Sequence, residues 1–147
     1  MLRRTFAILS LCVLPAQAGY TLTTFDEPNA SLTAHNGTEA DGINNAGTIV
    51  GTYYDASGNA HGYLYSGISF TSLNDPNAGP AGTFAYGINA SSLIVGYYAD
   101  SGNVPHGFSY NGSFTTMDDP AGANGTIAEA VNAAGVMVGA YSDATPQ

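Results

Sequence analysis

Short apolar runs alternate with clusters of Gly, Asn, Asp and Ser along almost the whole chain. Residues 48–54 and 93–98 read as one kind of strand, 61–65 and 106–110 as a second, and 68–73 and 113–117 as a third. A shorter strand is expected over 85–89, ahead of Leu93. Asn45-Ala46-Gly47, Asp55-Ala56-Ser57-Gly58-Asn59, Ser66-Gly67 and Asn111-Gly112 separate them. Asn-Gly is a two-residue hairpin signal because both positions tolerate positive φ. Strands this close must pair antiparallel, since parallel pairs need long crossovers. Beyond the first residues no helical period is sustained.

The strand faces predict how the sheets pack. Ile49, Gly51 and Tyr53 share one face, and Val50, Thr52 and Tyr54 share the other. Apolar groups on both faces mean that both are covered, which stacking sheet on sheet achieves. Gly51, Gly96 and Gly139 fall mid-strand, where glycine marks a bulge or the close approach of a neighbour.

The pattern repeats. Ile43-Asn44-Asn45-Ala46-Gly47-Thr48-Ile49-Val50-Gly51 returns at 88–96 and, diverged, at 131–139, with steps of 45 and 43 residues. His61-Gly62-Tyr63 matches His106-Gly107-Phe108. Ser69 to Pro76 matches Ser113 to Pro120, and an earlier copy, Thr21 to Pro28, leads the series. The fold class expected is therefore all-β: antiparallel four-stranded units of about 44 residues, stacked like the blades of a β-propeller. Units lie near 42–86 and 87–129, with a partial unit at 130–147 and a leading strand within 20–28. That amounts to eleven strands, fewer than the four or more blades of a closed ring need. A fragment of a longer array, several chains completing a ring, and an open or barrel-like stack all fit. The stop at Gln147, where a His-Gly-aromatic strand is due, favours a truncated or partial member.

The first residues read differently. Arg3 and Arg4, an apolar run to Leu14 and the small-x-small site Ala16-Gln17-Ala18 have the layout of a signal peptide over 1–18, expected as a helix. The run is too short to span a bilayer. Residues 19–147 then form the β-repeat domain, with no membrane span, located in the periplasm, at the cell surface or outside. Cleavage removes the only two Lys/Arg residues, taking the formal charge from −9 to −11, and removes Cys12, the sole cysteine. An all-acidic surface disfavours nucleic acid and anionic membranes, which need cations opposite phosphate. Without Lys, Arg or Cys, Schiff-base chemistry, guanidinium clamps and thiol catalysis are excluded. With charged residues at 9% and aromatics at 11%, the chain is no disordered acidic tail.

These units resemble the bacterial extracellular HAF-type repeat proteins, whose core is Ile-Asn-x-x-Gly-x-Ile/Val-Val-Gly. Here it spans 43–51 and 88–96, with Ser92 in place of the turn glycine, and 131–139 as the diverged copy. The His-Ala-Phe tripeptide appears as His61-Gly62-Tyr63 and His106-Gly107-Phe108. The resemblance implies a secreted or surface protein of β-repeat build and no particular reaction.

Candidate chemistry is sparse. Asp55-Ala56-Ser57-Gly58-Asn59 and Asp100-Ser101-Gly102-Asn103 are oxygen-rich and suggest Ca²⁺, but lack calcium-loop spacing and read first as hairpin turns. His61 and His106 stand singly and recur with the repeat, which favours a bond to a turn carbonyl or Asp. His35 is not periodic. Asp26-Glu27, Asp75 and Asp118-Asp119 precede Pro as acidic turns; glycoside hydrolysis needs two carboxylates at a set separation, and neighbours on a strand point apart. Tyr53-Tyr54 and Tyr97-Tyr98 put one ring on each face, to pack between sheets or to stack on sugars.

No residue is assigned a catalytic, cofactor or metal role. The function expected is an exported, non-enzymatic binding or structural module whose partner is a glycan, a surface protein or further copies of itself. The alternative is a diverged propeller enzyme acting on polysaccharide.

Overall fold

A computed structural model describes residues 7–11, 20–31 and 37–144. Among them the chain forms strands and turns without helix. The first sheet pairs β1 (Ala7–Leu11) with β2 (Tyr20–Thr24). The second runs β3 (Thr38–Ile43), β4 (Ile49–Tyr54), β5 (Ala60–Tyr65) and β6 (Phe70–Leu73) in chain order. The third repeats this with β7 (Thr83–Ile88), β8 (Ile94–Ala99), β9 (Pro105–Tyr110) and β10 (Phe114–Met117). A fourth pairs β11 (Thr126–Val131) with β12 (Met137–Tyr141). Every pairing is antiparallel.

The four-stranded antiparallel units expected from the repeat are present. One expectation is corrected: no signal helix is seen, because Ala7–Leu11 is a strand against Tyr20–Thr24. It is also the twelfth strand, beyond the eleven expected. A five-residue apolar run carries no period that separates strand from helix, and the unpaired edge of β2 offers it hydrogen bonds. The rest of the 1–18 segment and His35 lie outside the described residues.

Why the units stack is visible in their glycines. A β-carbon added at Gly42 would lie 2.7 Å from the Tyr86 carbonyl oxygen and 3.3 Å from Gly87 Cα, so β3 and β7 touch backbone to backbone. Gly87 meets Ala130 Cα at 3.1 Å in the same way. The mid-strand glycines answer to a bulge. Each first strand carries one extra residue, between Ala40 and Gly42, Ala85 and Gly87, and Ala128 and Ala130. A β-carbon at Gly51, Gly96 or Gly139 would collide with the carbonyl of Glu39, Phe84 or Ile127.

Two apolar clusters fill the gaps between sheets. Leu73 from β6 and Val50 from β4 pack with Ala85, Ile88, Ile94, Tyr98 and Phe108 of the following unit. Phe25 and Ala30, just after β2, pack on Ile49, Tyr53 and Tyr63. Tyr63 and Phe108 are fully buried.

An asparagine row joins the turns. Asn44 Oδ1 accepts the N–H groups of Ala46 and Thr48 at 3.0 Å each, closing its own turn. Its Nδ2 donates to the carbonyl of Asn89, and Asn89 Nδ2 donates to that of Asn132. One residue type thus closes a turn and ties it to the next unit.

Candidate functional site

The recurring histidines close the hairpin turns. Asp55 Oδ1 accepts the N–H of Ser57 at 2.8 Å and of Asn59 at 2.9 Å, while Oδ2 accepts Asn59 Nδ2 at 3.0 Å. These bonds, led by the Asn59 backbone N–H, hold its carboxyl down at about 2. His61, on β5, sets Nε2 3.3 Å from Asp55 Oδ2 and Nδ1 3.0 Å from Asn74 Oδ1, with its ring stacked on Tyr53 at 4.9 Å. The second unit copies this. His106 Nδ1 lies 2.8 Å from Asp118 Oδ2 and Nε2 3.5 Å from Asp100 Oδ2, and the ring stacks on Tyr98 at 5.1 Å. With a carboxylate at each ring nitrogen, Asp118 first, His106 is pushed up from its ordinary value. Asp100 is held down, chiefly by the Val104 N–H. The two oxygen-rich loops therefore spend their carboxylates on their own N–H groups and on histidine.

The acidic residues before Pro form a second recurring device. The N–H groups of Glu27, Asp75 and Asp119 each donate to Oγ1 of Thr38, Thr83 or Thr126 at 2.9 Å. Their carboxylates fold back onto the N–H of Asn29, Asn77 or Ala121. Asp75 is buried, and its Oδ2 meets no hydrogen-bond partner among the described residues. It lines an open cleft of about 340 Å³ with Asn59, His61, Asn74 and Pro80. Asp118 and Asp119 diverge as strand neighbours do: Asp118 faces His106 and Asp119 bonds Ala121 and Thr126.

Tyr53 and Tyr98 are core residues, 5% exposed, with hydroxyls 3.3 Å from Ser72 Oγ and 3.2 Å from Thr116 Oγ1. Tyr97 stacks on Phe84 at 4.5 Å.

What sequence reading missed is the bulge itself. The extra residues are Asp41, Tyr86 and Glu129, two carboxylates and a phenol in one column of the repeat. They are neighbours in space: Tyr86 feels the charges of Asp41, Glu39 and Glu129, its ring centre lies 5.6 Å from that of Tyr97, and burial pushes its phenol up. Desolvation, then Glu39, raises Asp41 to about 6, though the residue as a whole is exposed and water screens part of that rise. Aligning the units on Ala40, Ala85 and Ala128 exposes this column as the place where the repeat breaks. Hydroxyl and amide donors suit its two carboxylates.

Among the described residues no three His, Cys, Asp or Glu side chains gather as metal ligands, and no helix is long and apolar enough to cross a membrane. Comparison with family models, with curated proteins and with solved structures yields no match to this chain.

Proposed function

We propose that this chain is an exported, non-enzymatic β-repeat module, built as a propeller-like array, that binds a glycan or a surface protein. One observation carries the reading. The polar residues that recur are tied to their own turns, while those that differ between units, Glu39, Asp41, Tyr86 and Glu129, gather on the bulged first strands. Constant residues hold the fold and variable ones are left to recognise. The propeller-like arrangement is supported by the chain path from edge strand β6 to the opposite edge strand β7 of the next sheet. The Ile-Asn-x-x-Gly cores support kinship with HAF-type proteins, and the layout of 1–18 supports export.

A glycan array with parallel light scattering tests the module. Binding that falls in Tyr86→Ala and Asp41→Asn supports it; neither ligand nor self-association removes it. The polysaccharide-enzyme reading has its own support in the cleft that joins buried Asp75 to His61. Hydrolysis abolished by Asp75→Asn or Asp118→Asn would establish that reading instead.

A further inference from the structure

The two complete units turn from third to fourth strand through different chemistry. Between β5 and β6 the tip is Ser66-Gly67-Ile68-Ser69; between β9 and β10 it is Asn111-Gly112-Ser113. Both tips are exposed throughout. The first is exposed although a complete unit follows it, so exposure at 111–113 belongs to the tip position itself. The first tip is also well tied. Ser66 N–H donates to the Ser69 carbonyl at 3.1 Å, and the Tyr65 hydroxyl donates to the Gly67 carbonyl at 2.9 Å. The second is loose. Asn111 N–H reaches the Ser113 carbonyl only at 3.4 Å. Among the described residues neither the Asn111 amide group nor the Gly112 N–H has a hydrogen-bond partner. Gly112 holds φ at 106°, and a β-carbon there would meet nothing within 4 Å.

Asparagine followed by glycine is chemically special as well as a turn signal. The glycine nitrogen can attack the asparagine side chain because no β-carbon stands in its way, and asparagine is among the thermolabile residues for such reasons. The chain has three Asn-Gly pairs, of which Asn36 lies outside the described residues. Asn124-Gly125 is locked. Asn124 N–H donates to the Ser142 carbonyl at 2.9 Å, its Nδ2 to the Asp143 carbonyl at 2.6 Å, and Gly125 N–H to the Gly122 carbonyl at 3.0 Å. Gly125 is buried against Pro105. Both the attacking nitrogen and the amide it would attack are thus held in other bonds. At Asn111-Gly112 both are free.

We propose that Asn111 is a site of self-modification in the folded protein, converting to isoaspartate and aspartate through a cyclic imide closed by Gly112. The Gly112 N–H gives its proton to hydroxide or water, and its nitrogen forms a bond to Asn111 Cγ. The Cγ–Nδ2 bond breaks and Nδ2 leaves as ammonia, taking a proton from water. Water then opens the imide at either carbonyl. Opening at one restores the backbone as aspartate; opening at the other routes the backbone through the side chain as isoaspartate. Water is consumed and ammonia released, with no oxidant or reductant. The new carboxylate takes the formal net charge from −9 to −10. The first unit, with Ser66 at the matching place, is immune. The inference stands apart from the module reading, since it needs no partner.

The test incubates the full chain, folded, at mildly alkaline pH and withdraws samples over time. Digestion with pepsin in acid keeps the imide from forming during handling. Mass spectrometry reads the gain from NH₂ to OH at Asn111 and at Asn124, and electron-based fragmentation separates isoaspartate from aspartate. Conversion at Asn111 is expected to run roughly tenfold or more ahead of Asn124, whose bonds must open first. In urea the two sites should react at similar rates, because both are Asn-Gly. Both isoaspartate and aspartate should appear at Asn111, since the imide opens either way. Asn111→Ser, which places the first unit's residue at the second tip, should abolish the acidic species that conversion at this site adds on ion exchange; circular dichroism checks its fold. Equal rates at Asn111 and Asn124 in the folded chain overturn the proposal. So does an Asn111 that reacts only in urea, which would mean that the tip forbids ring closure. Aspartate as the sole product also overturns it, because direct hydrolysis would then replace the imide.

Discussion

Asn44 donates its side-chain N–H to the carbonyl of Asn89, 3.3 Å away and one repeat later. Asn89 does the same to Asn132 at 3.0 Å. Each unit thereby holds the turn of the next with the group that holds its own.

Losing Asn89 removes two accepted N–H bonds and one rung in a buried place. Asn89→Ala is expected to cost about 2 to 3 kcal/mol. Asn132 is exposed and closes only its own turn, so Asn132→Ala should cost about 1 kcal/mol. Urea unfolding of both variants checks the order.

Ser92 holds φ at 62° where the equivalent turn residues Gly47 and Gly135 sit at 79° and 81°. A β-carbon is strained there. Ser92→Gly should stabilise by about 1 kcal/mol, raising the urea midpoint without changing the slope.

Most of this was legible in the sequence, and the exceptions have physical reasons. The third and fourth strands begin within two residues of where alternation and turn signals put them, because His61-Gly62-Tyr63 and Asn111-Gly112 encode local geometry. Strand β3 was counted in its unit but given no bounds, since Glu39, Asp41 and Gly42 are poor strand formers and only pairing with β4 makes them extended. The bulge column was hidden for a related reason: its three residues share a position but mix two carboxylates with a phenol. Ala7–Leu11 was expected as helix and is a strand, because so short an apolar run carries no period that separates the two.

The carboxylate–histidine turns predict the pH response. His106 is raised, so its contribution is fully present below its unfolded value of about 6.5 and is lost as pH rises through the higher folded value. Asp55 and Asp100 are lowered, so theirs is present above the unfolded value of 3.8 and is lost as pH falls; for Asp55 the loss runs from 3.8 down to the folded value of about 2. Thermal unfolding from pH 3 to 9 should show stability falling above pH 6.5. In His106→Gln the part of that fall due to His106 should vanish.

Asp41 behaves oppositely to Asp55 and Asp100. Its folded value is raised from 3.8 to about 6, so it opposes folding as pH climbs through that interval. Asp41→Asn should raise the melting temperature at pH 7.5 and leave it unchanged at pH 3.5. A melting temperature lowered at pH 7.5 would show that the carboxylate is favourably paired.

Sheet-on-sheet stacking through Gly42, Gly87 and Ala130 underlies every statement above. Nuclear Overhauser contacts from the Gly42 α-protons to Gly87, and from the Gly87 α-protons to Ala130, test it most directly. The packing places those backbones within 3.3 Å and 3.1 Å of a β-carbon position, so both contacts should be strong. Their absence, with cross-strand contacts such as Val50 to Leu64 intact, would show sheets that form without stacking.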